Sequence, residues 1–87
     1  MHEMSLMADL IRKVECTAQA QQASKVVCVT VKLGALSHIS PDHLREHFAQ
    51  ATRGTLAEGA RLQVEVLTDL ADLQAQQIVL DSVEVEV

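Results

Sequence analysis

The first residues of the chain carry a set of donor groups that could bind a metal ion. The sequence begins MHEMSL, so the free amine of Met1, the imidazole of His2 and the first backbone amides lie close together along the chain. Most chain termini are frayed and dispensable, and the alternative interpretation of His2 is a solvated terminal residue. The donors converge on one small volume only if the elements that follow anchor this segment.

A second candidate pair of metal ligands lies in the middle of the chain. His43 and His47 are four residues apart in a segment predicted to be helical, so their rings fall on one face, about one turn apart. Histidine nitrogens at that spacing can hold one divalent ion, and Glu46 or His38 would be the nearest additional ligands. Two ligands are few for a stable site, and a solvated helix face that takes up metal adventitiously is the competing interpretation.

The cysteines and glycines do not form a recognisable catalytic or zinc-binding motif. Cys16 and Cys28 belong to no CxxC pair, and we expect both to be small buried hydrophobic residues. Gly34, Gly54 and Gly59 are scattered and do not form a phosphate-binding loop, and neither a nucleophile elbow nor paired carboxylates occur at recognisable spacing. We therefore expect no enzymatic activity.

The composition describes a small acidic domain. The chain has 87 residues, 12 acidic and 7 basic side chains, a net charge of −5 and a single phenylalanine as its aromatic content. A chain of this length fits one hydrophobic core, and it lacks both the basic surface and the aromatic platforms that bind nucleic acids. Its apolar runs are too short to span a bilayer and its start lacks the features of a secretory signal, which predicts a cytoplasmic protein.

Five periodic segments predict the secondary structure. Apolar residues at helical spacing indicate a first helix from Ser5 to about Ala23, with Ser5 as its N-cap. Ser40 before Pro41 is typical of a helix start and predicts a second helix over residues 41–53. Alternating apolar residues predict three strands, at Val26–Leu33, Leu62–Val66 and Ile78–Glu86.

The order of these segments constrains how they pack. A strand, a helix and a strand in succession predict that the first two strands are parallel, although another strand could lie between them. The short interval before the last strand favours an antiparallel return, and Asp81, which interrupts its alternation, predicts a β-bulge or an exposed edge. We therefore expect an α/β (α+β) fold in which two helices pack on a three-stranded mixed β-sheet, in the order α-β-α-β-β.

Four segments carry a resemblance to a known family. They are MHEMSL at the start, VKLGALSHIS at the end of the first strand, RGTLAEGARLQVE leading into the second strand, and SVEVEV at the end. Together, in this order and spacing, they resemble the HypA/HybF family of nickel metallochaperones for [NiFe]-hydrogenase maturation. The resemblance implies a nickel-binding accessory protein that delivers Ni(II), with a HypB-type GTPase and the hydrogenase large subunit as its partners.

The resemblance also implies a ligand set at the chain start. The amine of Met1, the imidazole and backbone amide of His2, and the backbone amide of Glu3 would form the square plane of nitrogens that Ni(II) accepts. The carboxylate of Glu3 would instead hydrogen-bond the imidazole or favour the helix start. Because the donors must lose protons to bind, acid should release the metal.

The interval between the second and third strands departs from the family pattern. Family members carry there a zinc module built from two CxxC pairs, whereas this chain has no cysteine between about residues 67 and 78. We therefore expect no structural zinc and a single HypA-like nickel-binding domain over residues 1–87, with Thr68–Gln77 as a linker or one helical turn. A short linker before a terminal strand also favours a homodimer formed by strand exchange.

A different class of function is compatible with the same residues. A HypA-fold paralogue could serve as a structural or regulatory subunit of another complex, without nickel delivery. Its interaction surface would then be an edge strand of the sheet and the VEVEV end of the chain.

Overall fold

The fold places two helices on a three-stranded sheet, as the sequence predicts. The computed structural model describes residues 2–87, with side chains from Ser5 onward. The elements, in chain order, are α1 (His2–Ala20), β1 (Lys25–Leu33), α2 (Pro41–Ala51), β2 (Arg61–Val66) and β3 (Ile78–Glu86). Met1 and the side chains of His2 and Glu3, and with them the predicted terminal chelate, lie outside the described part.

The sheet has the strand order β2-β1-β3, with β1 at its centre. β1 and β2 are parallel and directly hydrogen-bonded, so the predicted parallel pair is confirmed and no strand lies between them. β3 is antiparallel to β1 and occupies its other side, where Leu33 pairs with Ile78 and Lys25 with Glu86. β2 and β3, the two strands that follow β1 in the chain, therefore both pair with β1. The chain reaches β2 through α2, and it reaches β3 through residues 67–77.

Two β-bulges adjust which side chains of the sheet reach the core. The register with β1 shifts between Leu80 and Ser82, so Asp81 is the extra residue of a bulge, as its sequence position predicts. A second shift leaves Val27 without a register partner, and it brings both Val26 and Val29 to complete burial. A regular alternation would have buried only one of those two residues, because successive strand side chains face opposite sides.

The core lies between the helices and one face of the sheet. The buried side chains of the helices are Met7, Leu10, Val14 and Ala18 from α1, and Leu44 and Phe48 from α2. Burial of such apolar side chains supplies the main favourable term in folding, about 25 cal/mol for each Å² of apolar surface removed from water.

Two details of α1 differ from the prediction. The helix begins at His2, so Ser5 lies within it and is not its N-cap. Leu6 and Met7, which follow Ser5, pack against the core, and this tertiary contact outweighs the preference of serine for a cap position. Cys16, predicted to be buried, is exposed, because it lies about 200° around the helix from Val14. Cys28 is buried as expected.

No helix in the described part of the chain is long and apolar enough to cross a membrane.

Candidate metal centre

The topology brings the start of α1 and the start of α2 to the same end of the sheet. α1 ends at Ala20, just before β1 begins at Lys25, so the first residues of α1 lie toward the far end of β1. The loop that leads to α2 leaves β1 at that far end, after Leu33. The first described turn of α1 and the two α2 histidines therefore lie toward the same end of the sheet.

The beginning of α1 rests against two irregular segments. Leu6 and Asp9 of α1 share a groove with Leu36 of the β1–α2 loop and with Leu73 and Ala75 of the segment that precedes β3. Leu6 packs partly against the core, whereas Leu73 is 99% exposed, so this groove is open to water.

The loop after β1 is tied to the segment before β3 by two backbone hydrogen bonds. The amide of Gly34 donates to the carbonyl of Gln77 at 2.9 Å, and the amide of Leu36 donates to the carbonyl of Ala75 at 2.7 Å. A Cβ at Gly34 would lie 2.2 Å from the carbonyl oxygen of Ala75, so only glycine permits this approach. The sequence assigned Gly34 only the end of a strand, and no local signal reveals the segment it touches.

The segment from Thr68 to Gln77 consists of turns and contains neither helix nor strand. The carboxylate of Asp69 accepts the amide of Ala71 at 2.9 Å, and that of Asp72 accepts the amide of Gln74 at 2.8 Å, which gives two successive Asx turns. This segment is therefore the predicted linker and not a helical turn, and its two leucines are both exposed: Leu70 by 65% and Leu73 by 99%.

The α2 histidines sit on a helix whose start is well defined. The hydroxyl of Ser40 accepts the amide of His43 at 3.1 Å, and Pro41 occupies the first turn, so the predicted N-cap is confirmed. Leu44 and Phe48, each one residue after a histidine, are almost fully buried. The same spacing that fixes these two core side chains therefore fixes the direction of the two histidines.

The two imidazoles meet through their outer nitrogens. Nε2 of His43 lies 3.0 Å from Nε2 of His47, and the ring centroids are 4.4 Å apart with an interplanar angle of 62°. His43 is exposed, whereas His47 is half-buried and lines a groove between the helices together with Met7 and Ile11. The structure thus brings the predicted pair together on one face of α2.

Neither proposed third ligand joins this pair. Among the residues whose side chains are described, no three histidine, cysteine, aspartate or glutamate side chains are grouped so that they could hold a metal ion. His38 is exposed in the β1–α2 loop, with a φ of 62°. Glu46 lies on α2 between the two histidines in sequence and is also exposed.

Asp9, the first carboxylate of α1 whose side chain is described, is already engaged by cations. Asp9 forms ion pairs with Lys13, at 3.0 Å, and with Arg12. The hydrogen bonds from Lys13 and Arg12 hold the pKa of Asp9 below its ordinary value. Asp9 therefore remains ionised on the polar side of α1.

The arrangement of these elements is that of a HypA-type domain. A family model described as "Hydrogenase/urease nickel incorporation, metallochaperone, hypA" matches residues 1–84. The chain therefore belongs to the HypA family. The solution structure of the Ni metallochaperone HypA from Helicobacter pylori superposes with a TM-score of 0.77 over 97% of both chains, at 18% identity, which confirms the fold.

Sequence relatives agree with the family assignment. The chain is 43% identical over 67 residues to a hydrogenase maturation factor HypA of Methylocella silvestris, covering 77% of this chain and 59% of the relative. It is 44% identical over 66 residues to a HypA of Archaeoglobus fulgidus, covering 76% of this chain and 60% of the relative. The matched region thus spans about three-fifths of the length of these curated relatives.

Proposed function

We propose that this protein is a nickel-binding accessory protein that delivers Ni(II) for [NiFe]-hydrogenase maturation. The observation that carries the proposal is that the match to a nickel-incorporation family begins at residue 1 and so includes Met1, His2 and Glu3. Nickel is the cargo in this function, and the protein needs only to hold the ion weakly enough to release it.

The metal ligands in this proposal are the Met1 amine, the imidazole and amide of His2, and the amide of Glu3. α1 begins at His2, and the first amides of a helix have no intrahelical carbonyl partner. Metal can therefore displace their protons without breaking a helical hydrogen bond. Alternatively, Glu3 contributes through its carboxylate, which would accept a hydrogen bond from the imidazole of His2.

We further propose that residues 1–87 form one HypA-like domain without the zinc module, and hence without structural zinc. Cys16 lies on α1 and Cys28 in β1, so the two cysteines of the chain belong to different elements and form no CxxC pair. The interval between about residues 67 and 78 is filled by two Asx turns that close onto the β1–α2 loop. A HypB-type GTPase and the hydrogenase large subunit are the proposed partners.

A second candidate is a HypA-fold paralogue that acts as a subunit of another complex, without nickel delivery. The exposed side chains of Leu70, Leu73 and Val66 favour it, because exposed apolar groups close to one another in sequence are typical of binding surfaces. A homodimer formed by exchange of β3 would be one such complex. Measurement of the solution mass at high concentration tests it, and a strictly monomeric protein would exclude the homodimer.

Nickel titration of the tag-free protein tests the terminal chelate. The control is the same chain with one glycine added before Met1, which moves the free amine away from the imidazole. We expect the absorption of the four-nitrogen, square-planar Ni(II) complex, which the two α2 imidazoles alone cannot form, to be lost in this control and in His2→Ala, with the far-UV circular dichroism unchanged. Equal nickel absorption in the native and extended chains would exclude the chelate. Glu3→Gln keeps the amide and removes the carboxylate, so it separates the two roles of Glu3.

A further inference from the structure

We propose that His43 and His47 form a second metal site, a bis-imidazole chelate on α2 for a divalent ion of tetragonal preference, Cu(II) or Ni(II). This site does not use the amine of the chain start and does not depend on the proposed function. Its basis is the 3.0 Å separation of the two Nε2 atoms.

The separation of the two nitrogens matches adjacent ligands of a square plane. With metal–nitrogen bonds of about 2.0–2.1 Å, ligands at 90° lie about 2.8–3.0 Å apart, and ligands at the tetrahedral angle about 3.3–3.4 Å apart. The observed 3.0 Å therefore fits the cis geometry. Cu(II) and Ni(II) favour that geometry, and imidazole is a suitable ligand for both.

The orientation of the rings supports a shared ion as well as a shared proton. The ring centroids are 4.4 Å apart while the Nε2 atoms are 3.0 Å apart, so the two rings converge at an angle and do not point at each other along one line. At this distance one nitrogen donates a hydrogen to the other, so one Nε2 lone pair already faces the neighbouring ring. An ion bound by both nitrogens would replace that hydrogen, and the rings would rotate so that both lone pairs face the ion.

The helix under the pair is rigid enough to keep this geometry. The Nε atom of Arg45 donates to the carbonyl of Leu62 at 3.1 Å, which ties α2 to β2. At the other end, the buried hydroxyl of Thr52 donates to the carbonyl of Phe48 at 2.7 Å. Side chains held on a packed helix lose little conformational entropy when they bind, so two ligands give useful affinity.

The two imidazoles supply two of the four or more ligands that such an ion takes. Among the side chains described from Ser5 onward, no third acidic, histidine or cysteine ligand joins them, and His43 is exposed. Such a site exchanges its ion readily, which distinguishes it from a closed structural site with four protein ligands.

The experiment uses the chain extended by one glycine before Met1, so that the terminal amine cannot chelate. Cu(II) and Ni(II) are titrated by calorimetry into this chain and into its His43→Gln, His47→Gln and doubly substituted forms. The matched control is His38→Asn, since asparagine tolerates the positive φ of 62° at this exposed position. Circular dichroism verifies that every variant keeps the fold.

We expect the extended chain to bind one Cu(II) or Ni(II), and either α2 substitution to weaken binding by about tenfold or more, because the second imidazole then no longer binds intramolecularly. The His38→Asn control should bind as the extended chain does. In nuclear magnetic resonance spectra, Cu(II) should broaden the amide signals of residues 43–47 first. Unchanged affinity in the double variant, or an equal loss in His38→Asn, would overturn the proposal.

The two metal proposals fail in different ways. If the native chain binds metal and the extended chain binds none, the α2 site is wrong and the terminal chelate stands. If the native and extended chains bind metal equally and the double α2 substitution abolishes that binding, the terminal chelate is wrong and the α2 site stands.

Discussion

Substitution of Gly34 by alanine should destabilise the protein more than any other glycine-to-alanine change in the chain. An added Cβ would lie 2.2 Å from the carbonyl oxygen of Ala75 and 2.6 Å from that of Gln74, both backbone atoms that cannot rotate away. The segment before β3 must therefore move, or the end of β1 must. Either movement alters the groove that Ala75 and Leu36 share with Leu6 of α1.

The magnitude follows from three contributions. Overpacking of this kind costs about 1–3 kcal/mol, and weakening the amide bonds of Gly34 to Gln77 and of Leu36 to Ala75 costs about 0.5–1.5 kcal/mol each. Alanine restricts the unfolded chain and returns about 0.4–1 kcal/mol. The free energy of unfolding should thus fall by about 3 kcal/mol, a large part of the ~4–13 kcal/mol expected for a domain of this size.

The assay is urea unfolding followed by far-UV circular dichroism, because the chain has no tryptophan or tyrosine. Gly54→Ala is the matched control: a Cβ there meets nothing within 4 Å, and only its φ of 80° opposes alanine, at about 1–2 kcal/mol. Hydrogen exchange should also show reduced protection of the Leu36 amide in Gly34→Ala alone. The steric reasoning is refuted if Gly34→Ala costs no more than Gly54→Ala and the Leu36 amide stays protected.

Three further predictions concern the helices. Phe48→Ala should lower the free energy of unfolding by about 3–5 kcal/mol in urea denaturation, because it leaves a cavity where a side chain only 2% exposed was packed. The control Ala49→Gly, on the exposed face of the same helix, should lower it by about 1 kcal/mol. Ser40→Ala should cost about 1 kcal/mol in the same assay by removing the acceptor for the His43 amide, and Ser40→Asp should retain most of the stability; equal losses in both would contradict the capping role. The Asp9 ion pairs should stabilise the fold at pH values above the ordinary carboxyl pKa of 3.8, and this contribution should disappear as pH falls through the lowered pKa of the folded state. Added salt should weaken the same contribution. Thermal unfolding between pH 5 and pH 2 measures both effects, and Asp9→Asn should remove both.

The comparison of Cys16 and Cys28 illustrates how far sequence patterns reach. Both cysteines were expected to be buried on composition alone, yet only Cys28 is. Cys28 lies on the central strand between β2 and β3, where the side chains of both neighbouring strands flank it. Cys16 lies on a helix covered on one side only, and its position relative to Val14 turns it out of the core.

The same distinction applies to the candidate metal ligands. The spacing of His43 and His47 predicted two rings on one helix face, which follows from helical periodicity alone. Their 3.0 Å approach and convergent rings depend on side-chain rotamers that spacing does not specify. The absence of a third ligand among the described side chains is likewise a property of packing, since Glu46 and His38 are close in sequence and yet do not join the pair.

The sequence by itself determined the five elements, their order and the Ser40 cap, and it favoured a parallel pairing of β1 with β2 and a bulge or an exposed edge at Asp81. Each of these depends on local periodicity, on turn and cap chemistry, or on the connection between consecutive elements. Only the tertiary structure decided that β3 lies beside β1, that α1 extends back to His2, and that Gly34 touches the backbone of Ala75. These features join residues far apart in the chain, and the burial and close packing that select them arise only when all the elements assemble.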